Sequence, residues 1–285
     1  MILENDELDL ILSKISKSIT EISNLIKKSY IDLSSVLDLN YKLENKKIYI
    51  KCNNIFKNNL LSIKSIKTLL SNNDTIHDIN KDGKYLISYE TLDDILNLEC
   101  NMIVGTIFCV FEYNNDKIID GKNIVMAGYS IYNLSTQLVV CKYGKVDIFS
   151  LDGIVDKWSI IYSNYKIREK GQIYSVDDCN SNVYNLKYKN YFKNLINEGY
   201  KFKSFGTFIT DFHRTLIKGG ISINLSNYKK LIYAVYPLAY IIEKAEGMSL
   251  NGSNISILNI PFPKNLNEES QFIFGSEYEI FKLIL

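Results

Sequence analysis

The spacing of apolar residues changes period along this chain, and that change constrains the fold more than any single motif does. Leu8, Ile11, Leu12, Ile15, Ile19, Ile22, Leu25 and Ile26 recur at three- and four-residue intervals, with Lys14, Lys17, Glu21, Lys27 and Lys28 mostly opposite. This predicts an amphipathic helix. A polar, irregular stretch is expected over Tyr30–Asn45, and a second helix over Ile55–Leu70. The period then shortens to that of half-buried strands over Lys84–Tyr89, Met102–Tyr113, Ile124–Tyr132, Leu138–Tyr143, Val146–Leu151 and Trp158–Tyr162. Helical spacing returns over Tyr184–Ile196 and over Thr207–Ile217, the latter stopped by Gly219-Gly220. A strand is expected at Leu231–Val235, a helix opened by Pro237 over Leu238–Glu246, a strand at Gln271–Phe274 and a helix over Glu277–Leu285. Helices alternating with sheets imply a layered α/β architecture.

Composition narrows the function classes. In 285 residues, 33 Lys+Arg against 32 Asp+Glu leave a formal charge of +1, so no global field steers the chain to nucleic acid or to an anionic membrane. The Lys/Tyr-rich tract Tyr184–Lys203 reads as a solvated helix face rather than a single-strand-binding surface. Only Arg168 and Arg214 carry guanidinium forks, which clamp phosphates bidentately. Cys52, Cys100, Cys109, Cys141 and Cys179 are odd in number and widely spaced, as expected of small buried hydrophobes in a reducing compartment. The acidic opening Met1–Asp6 is unlike a secretory or transit peptide, and no apolar run reaches the ~20 residues needed to span a bilayer. A cytoplasmic protein that binds neither nucleic acid nor membrane is the expectation.

The densest acidic group is Glu90-Thr91-Leu92-Asp93-Asp94, at the end of the Tyr85 strand. Carboxylates there suit Mg²⁺, which takes oxygen ligands, and equally suit a solvated acidic turn. His77 and His213 are too few for a His-rich metal site, and His213, between Phe212 and Arg214 on a helix, is expected to be a hydrogen-bonded structural residue. No P-loop, dinucleotide fingerprint or nucleophile elbow is present.

Taken together, Gly83-Lys84-Tyr85-Leu86-Ile87-Ser88-Tyr89-Glu90-Thr91-Leu92-Asp93 and Val104-Gly105-Thr106-Ile107-Phe108 resemble class I fructose-1,6-bisphosphatase. The resemblance continues in order through Ala127-Gly128-Tyr129, Gly171-Gln172-Ile173-Tyr174-Ser175, Asp211-Phe212-His213-Arg214-Thr215-Leu216, Pro237-Leu238-Ala239-Tyr240 and Glu243-Lys244-Ala245. It implies an α/β fold, a layered αβαβα sandwich of the sugar phosphatase type. The division implied is an N-terminal region over 1–165 and a C-terminal sugar-phosphate-binding-like region over 166–285. The resemblance further implies carbohydrate metabolism, in gluconeogenesis, and a homotetramer.

Compared with the family's pattern, the functional positions have changed. The metal motif S-E-E-D is Ser71-Asn72-Asn73-Asp74, and D-P-L-D-G-S-S-N is Glu90-Thr91-Leu92-Asp93-Asp94-Ile95-Leu96-Asn97. The last metal carboxylate falls on Ala234, and the water-activating aspartate on Tyr49. Glu90 and Asp93 are thus the metal remnants, and Asp94 stands where a phosphate would meet backbone N–H groups. Positions of the 6-phosphate contacts fall on Asp177, Asn180, Ser204, Asn224, Tyr228 and Lys203, of which only Lys203 keeps a suitable charge. Lys84 and Tyr85 remain from the inhibitory nucleotide site, whose threonine-bearing segment falls on Asn5–Asp9. The expectation is a pseudo-enzyme without a cofactor, acting through self-association or through an active relative. The alternative is a weak or altered Mg²⁺-dependent sugar bisphosphatase.

Overall fold

The structure, a computed structural model, describes residues 6–33, 41–72, 76–176 and 184–285, with the side chains of 29–33, 41–46, 227 and 228 left aside. Helix α1 (Glu7–Leu33) buries Leu8, Ile11, Leu12, Ile15, Ile19, Ile22 and Ile26 along one stripe, as the period predicts. Helix α2 (Tyr41–Leu60) presents Ile48, Cys52, Phe56 and Leu60, one residue per turn, to the same core. The expected irregular stretch over Tyr30–Asn45 is thus partly helix, and the expected helix over Ile55–Leu70 is divided. Its first residues end α2 and its last form strand β1 (Ile66–Ser71). A stripe of one apolar residue per turn is thin among Asn and Lys, and a short apolar run such as Ile66–Leu70 satisfies either period.

An eight-stranded sheet follows. It comprises β1, β2 (His77–Asp78), β3 (Tyr85–Asp93), β4 (Val104–Glu112), β5 (Ile124–Tyr132), β6 (Gln137–Lys142), β7 (Lys145–Asp152) and β8 (Lys157–Tyr162), in the order β2-β1-β3-β4-β5-β6-β7-β8. Among the described residues of this sheet only β1 and β3 pair in parallel. The second sheet has five strands, β9 (Ile173–Val176), β10 (Lys201–Phe202), β11 (Ile221–Lys230), β12 (Met248–Leu250) and β13 (Glu269–Gly275), ordered β10-β9-β11-β13-β12.

Helices α1 and α2 cover one face of the large sheet. Between the sheets lie α4 (Phe208–Lys218) and α5 (Tyr236–Lys244), and α3 (Leu186–Asn197) and α6 (Glu277–Ile284) cover the outer face of the small sheet. Among the described residues three apolar clusters, the middle one reaching from α4 and α5 to both sheets, hold five layers together, the αβαβα sandwich expected. Helix α3 buries Tyr188, Tyr191 and Leu195 while Lys187, Lys189 and Lys193 face solvent, as the solvated-face reading requires.

The expected strand at Leu231–Val235 is instead a fully buried turn of π-helix leading into α5. Five consecutive apolar residues carry no period, so a buried helical turn and a buried strand read alike. Single π turns recur at functional sites, and this one carries Ala234. Cys52, Cys109 and Cys141 are buried free thiols as expected, whereas Cys100 is exposed; Cys179 lies outside the described residues. Among the described residues no helix is long and apolar enough to cross a membrane.

Candidate functional site: a carboxylate cluster closed by a lysine

The end of β3 is bent by a register shift against β4 between Glu90 and Asp93, and β11 carries another against β13 between Asn224 and Lys229. Bulges re-aim side chains, and these two turn Asp93 and Lys229 toward one another. Asp93 pairs across the sheet with Gly105 of β4. A Cβ at Gly105 would lie 3.1 Å from the Ile209 side chain and 2.6 Å from the Ser130 carbonyl, so glycine is what admits the start of α4 here.

Asp93 is buried and Asp94 half-buried, and both are held by the chain itself. The Lys229 ammonium donates to Asp93 Oδ1 at 2.6 Å and to Asp94 Oδ1 at 3.3 Å. The two outer oxygens face the N-terminus of α4: Asp94 Oδ2 accepts from the Phe208 N–H at 3.0 Å and Asp93 Oδ2 from the Ile209 N–H at 3.3 Å. These are orphan donors of the first helical turn, where negative charge is favoured. Asp94 holds a left-handed backbone (φ 55°), which Asp tolerates better than most residues. Thr207 completes the cap by accepting from the Thr210 N–H at 3.2 Å.

Glu90 is pushed up to about 7, first by burial and then by the nearby Asp93 charge, against the opposing pull of Lys229. Asp93 is raised for the same first reason, with Lys229 the strongest opposing influence. Asn72 donates its side-chain amide to Glu90, and its own Oδ1 is buried without a hydrogen bond. Lys230, next along β11, turns away from the aspartates and donates to the Asn72 carbonyl at 3.2 Å.

A Mg²⁺ ion asks for near-octahedral oxygen ligands at about 2.0–2.1 Å. This donor set does not fit one. Each carboxylate oxygen of Asp93 and Asp94 already accepts a hydrogen bond, and an ammonium stands between the two groups. Ala234 offers a buried methyl group and Asn72 a neutral amide. Among the described residues, no group of three or more His, Cys, Asp or Glu is placed to hold a metal ion.

The remaining predicted site residues disperse. Lys203 sits on the exposed segment 201–206 by the edge of the small sheet, its backbone bonded to Tyr174 and Arg214, so it is not gathered with Glu90 and Asp93. Ser204 donates to Asp211 at 2.9 Å and Asn224 accepts from Ser226, each a local bond. Asp177, Asn180, Asn73 and Asp74 lie outside the described residues, as does the Tyr228 side chain. Lys84 is ion-paired with Glu7 of α1 and lies over the Tyr85 ring, 5.1 Å from its centroid. Asp9 of the same helix pairs with Lys142. His213 accepts or donates through Nδ1 to the Tyr129 hydroxyl at 2.7 Å, the structural role expected of it.

The chain matches the model of the fructose-1,6-bisphosphatase N-terminal domain over residues 3–163 and that of the C-terminal domain over 167–284. It is a member of the fructose-1,6-bisphosphatase family. It is similar to the class 1 fructose-1,6-bisphosphatase of Campylobacter jejuni (strain RM1221), 31% identical over 96% of this chain and 97% of that one. It is 36% identical to the class 1 enzyme of Sulfurihydrogenibium sp. over 71% of this chain and 66% of that one. Its fold superimposes on the Leishmania major fructose-1,6-bisphosphatase in holo form with a TM-score of 0.88 at 27% identity, covering 99% of this chain and 94% of that one. Family membership therefore agrees with the αβαβα layering.

Nothing in the local sequence marks Lys229 as a site residue. It lies in the polar run Asn227-Tyr228-Lys229-Lys230, which reads as surface. The signal available was the wholly apolar Leu231–Val235 just beyond it, since a chain that dives into the core draws the preceding side chains inward.

Proposed function

We propose that this fructose-1,6-bisphosphatase family member has exchanged Mg²⁺-dependent hydrolysis for a non-catalytic role, exercised by associating with its own copies or with a catalytically competent relative. The observation that carries this reading is the commitment of Asp93 and Asp94 to Lys229 and to the N-terminus of α4. Phosphoryl transfer depends on positioning the transferred group and neutralising its charge. A site whose carboxylates are spent on an internal ammonium, with Asp94 where the resemblance places a phosphate, does neither.

Association is supported by the far edge of the large sheet. Strand β8 exposes Ile160, Ile161 and Tyr162, and Ile154 and Val155 are exposed in the turn before it. An apolar edge strand with open backbone groups is a template for pairing with another chain. The same cores and layers that define the family would then serve as scaffold, in carbohydrate metabolism, without the chemistry.

The second reading, a Mg²⁺-dependent sugar bisphosphatase of weak or altered activity using Glu90, Asp93 and Asp94, is favoured by the acidic charge kept at Glu90 and Asp93 and by relatives up to 36% identical that are named fructose-1,6-bisphosphatases. Phosphate release from fructose 1,6-bisphosphate with millimolar Mg²⁺ decides between them. The expected result is no release above that of an Asp93→Ala variant, with sedimentation showing an assembly larger than the monomer. Turnover by the wild type that Asp93→Ala abolishes would establish the phosphatase instead.

A further inference from the structure

The position of Lys229 has a meaning beyond the loss of hydrolysis. Its ammonium bridges one oxygen of Asp93 and one of Asp94, the arrangement a cation adopts between two carboxylates. The opposite oxygens are held by consecutive N–H groups of α4, so both carboxylates are aimed inward whether or not anything sits between them. The ammonium is steadied from another side by the Phe208 ring, 5.2 Å away at its centroid. A helix start, a bulged strand end and a second bulged strand end therefore converge on one positive charge.

We propose that Lys229 is a resident counter-ion: its ammonium holds the place between Asp93 and Asp94 that a divalent cation would need in order to bridge them, so the chain itself closes the site to metal. This rests on the reading of a non-hydrolytic site and extends it to the cause, and it is open to a test of its own. An ammonium and a divalent cation exclude one another here, because like charges this close repel strongly in a partly buried setting. Lysine also suits the post physically, as a compact point charge on a flexible stem. Arginine's planar fork would demand a different carboxylate geometry. Lys230 does not share the role: its Nζ goes to the Asn72 carbonyl and lies 5.8 Å from the Tyr233 ring centroid.

If Lys229 holds the place of an ion, removing its charge should leave a hole with the character of a cation site. Mn²⁺, whose free ion is counted directly by electron paramagnetic resonance, is the probe. Wild type, Lys229→Ala, Lys229→Gln and Lys230→Ala are titrated with it, and their melting is followed with chelator and with millimolar Mn²⁺. Wild type is expected to take up no Mn²⁺ saturably below millimolar. Lys229→Ala and Lys229→Gln are expected to melt lower in chelator, to recover with Mn²⁺, and to bind it roughly tenfold or more tighter than wild type, as removal of an adjacent like charge would give. Adding Asp93→Asn to either should abolish the recovery, and Lys230→Ala should gain nothing. Lys229→Gln keeps the stem and a donor, which guards against the alanine variant failing to fold.

Saturable Mn²⁺ binding by wild type at the Asp93 site overturns the proposal, and so does a Lys229→Gln variant that folds and gains no affinity. Phosphate release by wild type in chelator would defeat the non-hydrolytic reading and leave Lys229 as the resident cation. Turnover that requires Mn²⁺ bound at Asp93 would defeat both.

Discussion

The N-terminal end of β3 places Lys84 beside Glu7 of α1 at the surface, whereas its C-terminal end places the buried Asp93 and the half-buried Asp94 beside Lys229 of β11. At both ends an intramolecular partner meets a charge that the family resemblance assigns to an external ligand. In one case a lysine meets an acid, and in the other two acids meet a lysine. Depth separates them. Side-chain exposure is 49% and 47% for Lys84 and Glu7, against 20% and 1% for Lys229 and Asp93. Water can solvate the first pair if it parts, and can scarcely reach Asp93 if the second does. The same charge pattern is therefore a loose surface contact at one end and a structural element at the other.

The largest effect is expected at the buried end. Breaking a buried pair by removing one partner strands the other charge and typically costs about 3–5 kcal/mol. Lys229→Met should lose stability of about that size in urea unfolding, because Asp93 keeps only the Ile209 N–H. The double variant Asp93→Asn, Lys229→Met should recover much of it, since the most deeply buried charge goes with its partner, while Asp94 keeps the Phe208 N–H and partial exposure to water. Equal losses in the single and double variants would show that packing of the lysine stem, not the charge pair, was what mattered.

Burial sets the next effect too, on the helix whose first turn caps the aspartates. His213 of α4 is pushed down to about 4 by burial, from an ordinary 6.5. It is neutral in the folded chain, and the unfolded chain takes up a proton below 6.5. Stability from this group is complete above pH 6.5 and is lost as pH falls toward 4, by about 3.5 kcal/mol at about 1.4 kcal/mol per unit. Urea unfolding of wild type and His213→Asn between pH 7 and 4 measures it: the variant should be less stable at pH 7 and flatter across the window. Parallel profiles would remove His213 as the source.

Much of this architecture is legible along the chain, and little of the buried site is. Strands β4 to β8 fall within two residues of their apolar runs, because each run is rich in β-branched and aromatic residues and is bounded by turns that are local in sequence. Strand β1 and the π turn at Leu231–Val235 carry apolar runs too short or too uniform for period to discriminate. The acidic cluster at Glu90–Asp94 was visible as a cluster, yet whether it is solvated, metal-bound or ion-paired depends on Lys229, 136 residues away. No local pattern reports that distance. The bulges that join the two, on β3 and on β11, depend on pairing with β4 and β13.

A smaller effect is expected at Asp94, where backbone and charge oppose each other. Its left-handed φ of 55° favours glycine, while its carboxylate serves the Phe208 N–H and Lys229. Asp94→Ala loses the cap-like bond and keeps the strain, for about 1–2 kcal/mol. Asp94→Gly loses the bond and relieves the strain, and should fall closer to wild type. Alanine and glycine variants of equal stability would show that the backbone there is not under tension.

The smallest effect is expected at Lys84. Glu7 holds its ammonium well above the ordinary lysine value, which says that the two are close rather than that the pair is worth much. Both side chains are about half exposed, so each regains water when the other is removed, and exposed pairs contribute about 0–1 kcal/mol. Lys84→Ala should therefore cost less than about 1 kcal/mol, and most of that should vanish in 1 M salt, where the Debye length shrinks to about 3 Å. Loss at Lys229→Met should persist in the same salt, because mobile ions do not enter the space around Asp93. The salt series on the two variants thus tests the contrast of depth directly: a Lys84 effect as large and as salt-resistant as that of Lys229 would mean that the ends of β3 are alike after all, and that the Glu7 contact fixes α1 to the sheet more firmly than its exposure implies.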